Sequence, residues 1–476
     1  MNHKVARRLY LGLQLLRGEP VAEALADVRR SERFGLEQLL ALQMSRQREQ
    51  LLFAARFVPY YRQLLAPLNG QLEAVRDHAE MSALRRQLPV LEKATVQEQA
   101  EQLRARGVGP LPCHPDRTSG STGTPLIFPC DQRAWAYRHA LTFRTMQAFG
   151  VRLGDPYAYF VGLPWGGGRR WKLRVRDWVL NRSRICAFEI GPDRLARHVR
   201  QLRWRRPVCF LGYPSALYDF CLLCREHDLD LRRLKLKGVF LSSEPVHDYQ
   251  RRLISEVTGA PCCNLYGSAE GGLNAFECPA GGLHLTLEAT WLELRDPAAQ
   301  AGEILVTDLM LRTSPLVRYA VGDEVRLSSR SCDCGRAHPL IESVEGRRSE
   351  PILLPNGRRI NANVINYLFK DLAPLAVFRR CRFVETPAGR LELQLMVAPG
   401  FREEHRQQVV AATLAAMGED LPLDVVVVER MPDLPNAKHR DYVPLRASGP
   451  GVPLRASGPG VPSRASAPAD EVAATE

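Results

Sequence analysis

A regular alternation of buried strands and amphipathic helices between residues 207 and 267 is the feature that most restricts the fold. Three short apolar runs predict strands, and a helical pattern of apolar residues follows each of the first two. The segments are PVCFLG (207–212), YPSALYDFCLLCREH (213–227), KGVFLS (237–242), EPVHDYQRRLISEVTG (244–259) and CCNLYG (262–267). This order is typical of a parallel sheet covered by helices, and it predicts an α/β fold.

The loops that follow the three predicted strands are polar. They contain Gly212–Tyr213, Ser242–Ser243–Glu244 and Tyr266–Gly267–Ser268. In sheets of this kind, ligands bind beyond the carboxyl ends of the strands. We therefore expect these loops to meet at one edge of the sheet and to form part of a binding site.

The 476 residues divide into three predicted regions. Residues 1–346 form a large N-terminal domain with a largely helical start (1–105), in which a helical pattern begins near residue 35 and is interrupted at Pro59. Residues 347–445 form a small α+β domain, because FRRCRFVETPAGRLELQLMVAP (378–399) predicts a hairpin, 402–417 a helix and LDVVVVER (423–430) a strand. Residues 446–476, with the repeat VPLRASGPG, form a disordered tail that is too poor in apolar residues to pack.

Charge and targeting features exclude several classes of protein. The net charge is +13, but seven lysines stand among 65 basic residues, and the arginines are scattered along the chain as a compositional bias would scatter them. We therefore do not expect nucleic-acid binding, even at the densest basic segment, RRWKLRVRDWVLNRSR (169–184). No apolar run is long enough to span a membrane. Twelve cysteines without a secretion signal favour reduced thiols and a cytoplasmic location.

The N-terminal segment MNHKVARRLYLGLQLLRGEP is basic and amphipathic, and it lacks the small-residue cleavage site of a signal peptide. It predicts a surface helix, and peripheral membrane contact through this helix remains an alternative. Nothing in the sequence specifies an oligomeric state.

The stretch RTSGSTGTPLIF (117–128) is rich in glycine and hydroxyl side chains. Glycines let the backbone curl around an anion, and hydroxyls add hydrogen-bond donors. The candidate phosphate-binding residues are Thr118, Ser119, Gly120, Ser121, Thr122, Gly123 and Thr124. The stretch lacks the Gly-Lys-Ser/Thr ending of a Walker A loop, and by itself it fits a plain turn or linker equally well.

Four further segments place charged residues where nucleotide chemistry needs them. LYGSAEGG (265–272) contains Glu270, and a carboxylate beside a phosphate site can hold magnesium. PLVRYAVGDEV (315–325) contains Asp323, a carboxylate able to accept hydrogen bonds from ribose hydroxyls. VEGRRSE (344–350) places Arg347 at the predicted domain border, and LPNAKHRDY (434–442) isolates Lys438 in a polar loop.

In this order, the segments resemble the adenylate-forming superfamily, which includes acyl-CoA synthetases, luciferases and peptide-synthetase adenylation domains. The match is closest to the phenylacetate–CoA ligase-like branch and covers roughly residues 35–445. It rests on TSGSTGTPL, GYPSAL, SSEPV, YGSAEGG, VRYAVGD, CDCGRAHPLIESVEGR, VPYYRQL and LPVLEKA. The resemblance implies a large adenylate-forming domain, with sheets covered by helices, and a small mobile α+β domain that carries the catalytic lysine.

The resemblance also implies a role for each candidate residue. The loop 118–124 would wrap the β- and γ-phosphates of ATP, and Lys438 would bridge the substrate carboxylate and the α-phosphate. Arg347 would contact ribose or phosphate, Asp323 the ribose, and Glu270 would bind magnesium. The remaining roles are Ser243, Glu244 and Pro245 at the adenine site, Tyr266 near the adenine, and Gly267 and Ser268 beside the acyl carboxylate.

A second group of residues has the composition of a metal site. Cys278 and His284 occur in CPAGGLH, and Cys332 and Cys334 in CDC. Three thiols and one imidazole suit tetrahedral zinc, and four protein ligands would leave no position for a reactive water. Similar Cys/His sets occur in some relatives of this branch. The alternative is a group of buried free thiols.

The activity that the resemblance implies is ATP-dependent formation of an acyl-adenylate from a small carboxylic acid, followed by transfer to a thiol, for which coenzyme A is the first candidate. Three departures from the family pattern keep alternatives open: Leu126 replaces a common lysine, the hinge reads Arg348–Ser349–Glu350, and Ala437 replaces the usual glycine before the lysine. The first alternative is transfer to a carrier-protein thiol or an amine in polysaccharide or secondary-metabolite synthesis. The second is a degenerate, non-catalytic binding protein.

Overall fold

A computed structural model describes residues 2–108, 113–117, 127–161, 170–187, 190–347, 352–353, 359–360, 378–386, 390–397, 400–417, 423–429 and 442–443. The predicted phosphate loop 118–124, the hinge 348–350, Lys438 and the predicted tail 446–476 lie outside these residues.

The first hundred residues are helical, as predicted. The helices are α1 (His3–Leu16), α2 (Val21–Ser31), α3 (Leu36–Phe57), α4 (Pro59–Leu65), α5 (Asn69–Ala74), α6 (His78–Arg86) and α7 (Lys93–Glu98). The break near Pro59 is confirmed, because α3 ends at Phe57 and Pro59 is the first residue of α4. Proline is tolerated in a first helical turn, where its missing N–H costs no hydrogen bond.

The rest of the large domain alternates strands and helices and then continues as strands. The elements are β1 (Cys113–Arg117), β2 (Ile127–Asp131), α8 (Gln132–Ala148), β3 (Tyr157–Val161), α9 (Arg170–Val179), β4 (Arg182–Cys186), α10 (Pro192–Arg205), β5 (Cys209–Gly212), α11 (Pro214–Glu226), β6 (Gly238–Ser242), α12 (Asp248–Thr258), β7 (Cys262–Ser268), β8 (Gly272–Glu277), β9 (Leu283–Leu285), β10 (Thr290–Leu294), β11 (Ala301–Asp308), β12 (Tyr319–Ser328) and β13 (Leu340–Arg347). The three strands and two helices predicted between residues 207 and 267 are all confirmed.

Eleven of these strands form one mixed sheet in the order β10-β11-β12-β13-β9-β8-β7-β6-β5-β3-β4. The half from β7 to β4 is parallel, and every pairing from β7 through β8 to β10 is antiparallel. The alternating segments predicted the parallel half. The antiparallel half was not predicted, because its strands carry no regular helix between them.

The parallel half is covered on both faces, because successive side chains of a strand point to opposite sides. On β6, Val239 and Leu241 pack with α10, α11 and α12, whereas Phe240 between them belongs to the core on the α8 side. Cys221 and Cys224 of α11 are fully buried among apolar side chains, which agrees with a packing role rather than redox chemistry. α12 ends at Gly259, whose φ of +70° glycine adopts without steric cost.

The chain beyond Arg347 contains separate small sheets. In the first sheet, β14 (Ile352–Leu353) pairs with β15 (Arg359–Ile360). The second sheet has four strands: β16 (Phe378–Glu385), β17 (Leu391–Val397), β18 (Leu423–Val427) and β19 (Tyr442–Val443). Between β17 and β18 in the sequence stands one helix, α13 (Glu403–Met417). β16 and β17 form the predicted antiparallel hairpin, with Glu385 opposite Leu391. The boundary at residue 346 stays a prediction. Among the described residues, no helix is long and apolar enough to cross a membrane.

Candidate functional site

The carboxyl ends of β5 and β6 are held together by one carboxylate. Glu244 follows β6, and its two oxygens accept hydrogen bonds from the backbone N–H and the hydroxyl of Ser215, both at 3.0 Å. Ser215 lies in the first turn of α11, where the helix dipole favours a negative charge. The predicted convergence of the polar loops is therefore confirmed for this pair of strands.

The backbone around Glu244 is unusual. Ser243 has a φ of +74°, a left-handed conformation that a residue with a Cβ adopts only at a cost of about 1 kcal/mol or more. Ser243 and Pro245 are exposed, whereas Glu244 between them is half-buried. The three residues predicted at the adenine site thus form a bend that turns one side chain inward and leaves its neighbours accessible.

Tyr266 and Asp323 are in direct contact. The Tyr266 hydroxyl donates to Asp323 Oδ2 at 2.9 Å, and both side chains are buried. Tyr266 belongs to β7 and Asp323 to β12, with β8, β9 and β13 between them in the sheet. The hydrogen bond therefore requires the sheet to curve until β12 reaches the end of β7. On the neighbouring strand β13, Arg347 is the backbone partner of Asp323.

The turn between β7 and β8 is tightly packed. A Cβ at Gly267 would collide with the carbonyl of Gly272, so only glycine allows the two strands to approach this closely. The Ser268 hydroxyl accepts a hydrogen bond from the Gly271 N–H at 2.9 Å. Glu270, between them, is buried. The turn therefore keeps the Glu270 side chain inside the protein, next to the C-terminal end of β7.

Tyr319 is a residue of this region that the sequence analysis did not single out. Its hydroxyl lies 3.5 Å from Glu270 Oε1, at the limit of a hydrogen bond, and it begins the strand that carries Asp323. It stands inside the motif PLVRYAVGDEV, four residues before Asp323. That position in the motif is the sequence signal that could have identified it.

The strands on either side of the predicted phosphate loop form a hairpin. β1 and β2 are antiparallel, with Arg117 opposite Ile127, so the loop 118–124 belongs to the connection between them. Asp131 at the end of β2 accepts the N–H of Thr313 at 2.9 Å and caps α8 through the Ala134 N–H at 3.0 Å. This carboxylate attaches the base of the hairpin to the segment after β11.

The same segment reaches the turn that holds Glu270. Asp308, at the end of β11, lies 3.4 Å from Arg138 of α8, and the Arg138 side chain packs against Gly272. Burial raises the pKa of Asp308, and Asp131 nearby raises it further, while Arg138 acts in the opposite direction. Charged side chains thus link the base of the hairpin to the end of β7.

The structure brings several of the predicted nucleotide-site residues together with the backbone of Arg347. These residues are Tyr266, Gly267, Ser268, Glu270 and Asp323. Ser243, Glu244 and Pro245 follow the adjacent strand β6. The residues from Thr118 to Thr124 and Lys438 lie outside the described part of the chain.

The four predicted zinc ligands form a compact cluster. The donor atoms of Cys278, His284, Cys332 and Cys334 all lie within 4.8 Å of one another. The sulfurs of Cys278 and Cys332 are 3.5 Å apart, and Cys334 Sγ is 3.2 Å from His284 Nε2. β9 brings the two halves of the cluster together, because it pairs with β8 on one side and β13 on the other.

The surroundings of the cluster suit a metal. His284 Nδ1 lies 3.0 Å from the carbonyl oxygen of His338, which orients Nε2 towards the thiols, and such a second hydrogen bond is usual for metal-binding histidines. Burial lowers the pKa of His284 to about 4, so the imidazole is neutral at physiological pH. A Cβ at Gly282 would approach Cys332 Sγ to 2.6 Å, so a side chain there would disturb the cluster.

Comparisons with known proteins give related sequences and a shared fold. No protein-family model matches the chain. It is 24% identical over 399 residues to a phenylacetate-coenzyme A ligase of Thermus thermophilus, which covers 79% of this chain and 85% of the relative. It is 22% identical over 222 residues to the protein CapK of Staphylococcus aureus, which covers 44% of this chain and 47% of that relative.

A crystal structure of 2-hydroxyisobutyryl-CoA ligase, in the postadenylation state with R3-HIB-AMP, has the same fold. The TM-score is 0.67 at 21% sequence identity, and the alignment covers 88% of this chain and 92% of the other. The mixed sheet covered by helices and the separate small sheet match this architecture.

Proposed function

We propose that the chain is a member of the adenylate-forming superfamily, on its phenylacetate–CoA ligase-like branch, and that it is an AMP-forming acid–thiol ligase that activates a carboxylic acid with ATP. The observation that carries the proposal is the contact between Tyr266 and Asp323 beside the turn that holds Glu270. This contact brings together residues that two separate motifs contribute.

In the first step of the proposed reaction, a carboxylate oxygen of the acid attacks the α-phosphorus of ATP. The bond to the β-phosphate oxygen breaks, pyrophosphate leaves with the electron pair, and an acyl-adenylate forms. Negative charge grows around the α-phosphate, and Lys438 is the proposed cation that offsets it. In the second step, a thiolate attacks the acyl carbon and AMP leaves, which gives a thioester.

The nucleotide would be held by residues from several elements. Asp323 would accept hydrogen bonds from the ribose hydroxyls, and its bond from Tyr266 fixes the orientation of the carboxylate while leaving it further acceptor capacity. Arg347, opposite Asp323 in the sheet, would reach ribose or phosphate. The loop 118–124 would wrap the phosphates, and the bend 243–245 would line the adenine.

Magnesium would be held by Glu270 together with the phosphate oxygens. A buried carboxylate within reach of a tyrosine hydroxyl offers the hard oxygen ligands that this ion requires. A bound magnesium ion would neutralise charge on the phosphates.

The test is pyrophosphate release from ATP with a panel of aryl and short-chain acids, each with and without coenzyme A. We expect acid-dependent release, and Asp323→Ala should raise the KM for ATP by about tenfold or more, because hydrogen bonds to a charged group contribute about 1.5–3 kcal/mol each. Asp193→Ala removes an exposed carboxylate and should leave the KM unchanged. Release that does not depend on any acid, or an Asp323 variant with unchanged KM, would refute the assignment.

A second candidate acceptor is supported by the similarity to CapK, a relative that is not named as a coenzyme A ligase. In this alternative, the acyl group of the adenylate is transferred to an amine or to a carrier-protein thiol, and AMP leaves. The unusual hinge residues and Ala437 before the lysine agree with an altered second step. Comparing coenzyme A with amines as acceptors of a preformed adenylate distinguishes the two versions, since only one class of acceptor should accelerate the release of AMP.

We also propose that the cluster of Cys278, His284, Cys332 and Cys334 holds a structural zinc ion. Three thiolates and a neutral imidazole match the tetrahedral preference of zinc, and the donors come from two segments that lie far apart in the sequence. The ion would fasten the loop after β12 to the turn after β8.

The purified protein should contain about one zinc ion per chain, as expected for a closed four-ligand site. Cys332→Ser should remove most of it, because three ligands remain. Metal content measured by mass spectrometry is the readout, and Cys113→Ser, which changes an exposed cysteine outside the cluster, is the matched control. Wild-type protein purified with zinc in the medium but free of the metal would show that the thiols are simply buried.

A further inference from the structure

Large exposed apolar side chains are concentrated on three helices. Of those on the described part of the surface, most lie on α1, α9 and α10: Val5, Leu9, Leu15, Leu16, Val175, Trp178 and Trp204. α1 packs against α9, and both α9 and α10 pack against β4, the edge strand of the large sheet. α1 and α9 lie on the α8 side of the sheet, whereas α10 lies on its other face. We call the outward faces of α1 and α9 the β4-edge surface.

The side chains of α1 separate into two faces. Ala6, Tyr10 and Gln14 recur every four residues and are buried against the protein. Val5, Leu9 and Leu16 follow one another at helical spacing on a different face and are exposed, Leu16 by 87%. The helix therefore presents an apolar stripe to solvent in addition to the stripe that holds it in place.

The same surface is strongly basic. Exposed cations on the described side chains of α1 and α9 include Lys4, Arg7, Arg8 and Arg174. The carboxylate described there, Asp177, is buried and paired with Arg182 and Arg184. The exposed charges described on this surface are therefore all positive.

We propose that the β4-edge surface docks on a bilayer that contains anionic phospholipids. Burying exposed leucine and valine side chains at the boundary between headgroups and acyl chains is favourable, and Trp178 has the amphipathic ring that settles at that depth. The arginines complement the anionic headgroups. This association is peripheral and does not depend on the ligase activity.

A bilayer explains the surface better than a nucleic acid does. Arginine and tryptophan would serve either partner, since both present phosphates. The aliphatic stripe of α1 has no counterpart on a phosphate backbone, whereas a bilayer offers it an apolar layer.

The full-length protein should co-sediment with vesicles of phosphatidylcholine and phosphatidylserine (7:3), and much less with phosphatidylcholine alone. Leu9→Gln/Leu16→Gln should lower the partition coefficient by at least about tenfold through lost apolar burial. Arg8→Gln should lower it about fivefold, and added salt should weaken binding further. Leu36→Gln and Arg330→Gln, which change exposed residues elsewhere, are the matched controls and should bind as the wild type does.

Equal sedimentation with both vesicle types, or an equal loss in Leu36→Gln, would overturn the proposal. So would binding to a short DNA or RNA duplex that exceeds vesicle binding and is undiminished in Leu9→Gln/Leu16→Gln. Unchanged thermal unfolding midpoints would show that the variants are folded.

Discussion

Replacing Lys438 with alanine should lower the rate of acyl-adenylate formation by at least about 100-fold, the loss typical of removing one preorganised charge partner of a transition state. The attacking carboxylate and the α-phosphate are both anionic, so bringing them together concentrates negative charge. A lysine ammonium is a compact charge suited to such a point. Acid-dependent release of pyrophosphate, measured at saturating ATP, gives the rate.

The second half of the reaction provides a sharp internal control. Transfer from a preformed acyl-adenylate to the thiol builds no charge between carboxylate and α-phosphate, so Lys438→Ala should carry it out at nearly the wild-type rate. Arg402→Ala removes an exposed cation of the small domain and should leave both steps unchanged. If Lys438→Ala releases pyrophosphate as fast as the wild type, the proposed role of the lysine is wrong.

Removing one partner of the buried pair Arg144–Glu288 should cost about 3–5 kcal/mol of the free energy of unfolding, because an uncompensated charge is left in the interior. Arg144 lies on α8 and Glu288 precedes β10, and both side chains are completely buried. The guanidinium also stacks 4.4 Å from the centre of the Phe276 ring, and His338 lies 3.3 Å from Glu288 on its other side. The pair thus joins a helix to the antiparallel half of the sheet.

Glu288→Gln is the test, with unfolding followed in urea at pH 7. Glu342→Gln, which alters an exposed pair with Arg330, should cost less than about 1 kcal/mol. The double variant Arg144→Met/Glu288→Leu should recover part of the loss, because an apolar pair leaves no buried charge. A loss in Glu288→Gln no larger than that in Glu342→Gln would contradict the assigned role.

The Arg144–Glu288 pair also predicts that the free energy of unfolding depends on pH. Burial alone would raise the pKa of Glu288, but Arg144 and His338 outweigh it and lower the pKa to about 2. A carboxylate with a depressed folded-state pKa stabilises the protein above its unfolded value of about 4.3, and this contribution is lost as the pH falls towards 2. The difference in stability between wild type and Glu288→Gln should therefore be constant near neutral pH and shrink below about pH 4.

Local patterns in the sequence predicted the elements whose periodicity is uninterrupted. The alternation between residues 207 and 267 predicted β5, β6 and β7 with α11 and α12, and the alternating leucines after the Pro-Ala-Gly turn predicted the hairpin of β16 and β17. These predictions succeed because a strand or helix covered by its neighbours must repeat its apolar residues at its own period. The antiparallel strands from β8 to β13 have no such regular context, and the sequence analysis missed them.

For the candidate sites too, the sequence identified residues but did not predict the contacts between them. Residue type and motif were enough to single out Tyr266, Glu270 and Asp323 as candidates, as well as the three thiols and the imidazole of the proposed zinc site. The hydrogen bond between Tyr266 and Asp323, 57 positions apart, depends on the curvature of the sheet. Tyr319 was missed, although it stands in the motif that carries Asp323, because its contact with Glu270 forms only in the folded protein.

The sequence by itself determined which segments become strands and helices in the parallel half, because these follow from side-chain identity and local spacing, and its motifs singled out the candidate residues for nucleotide and metal binding. Only the tertiary structure decided that Arg144 meets Glu288 and that α1 packs beside α9. These contacts join residues far apart in the chain, and their formation depends on how whole elements pack, which no short window of sequence contains.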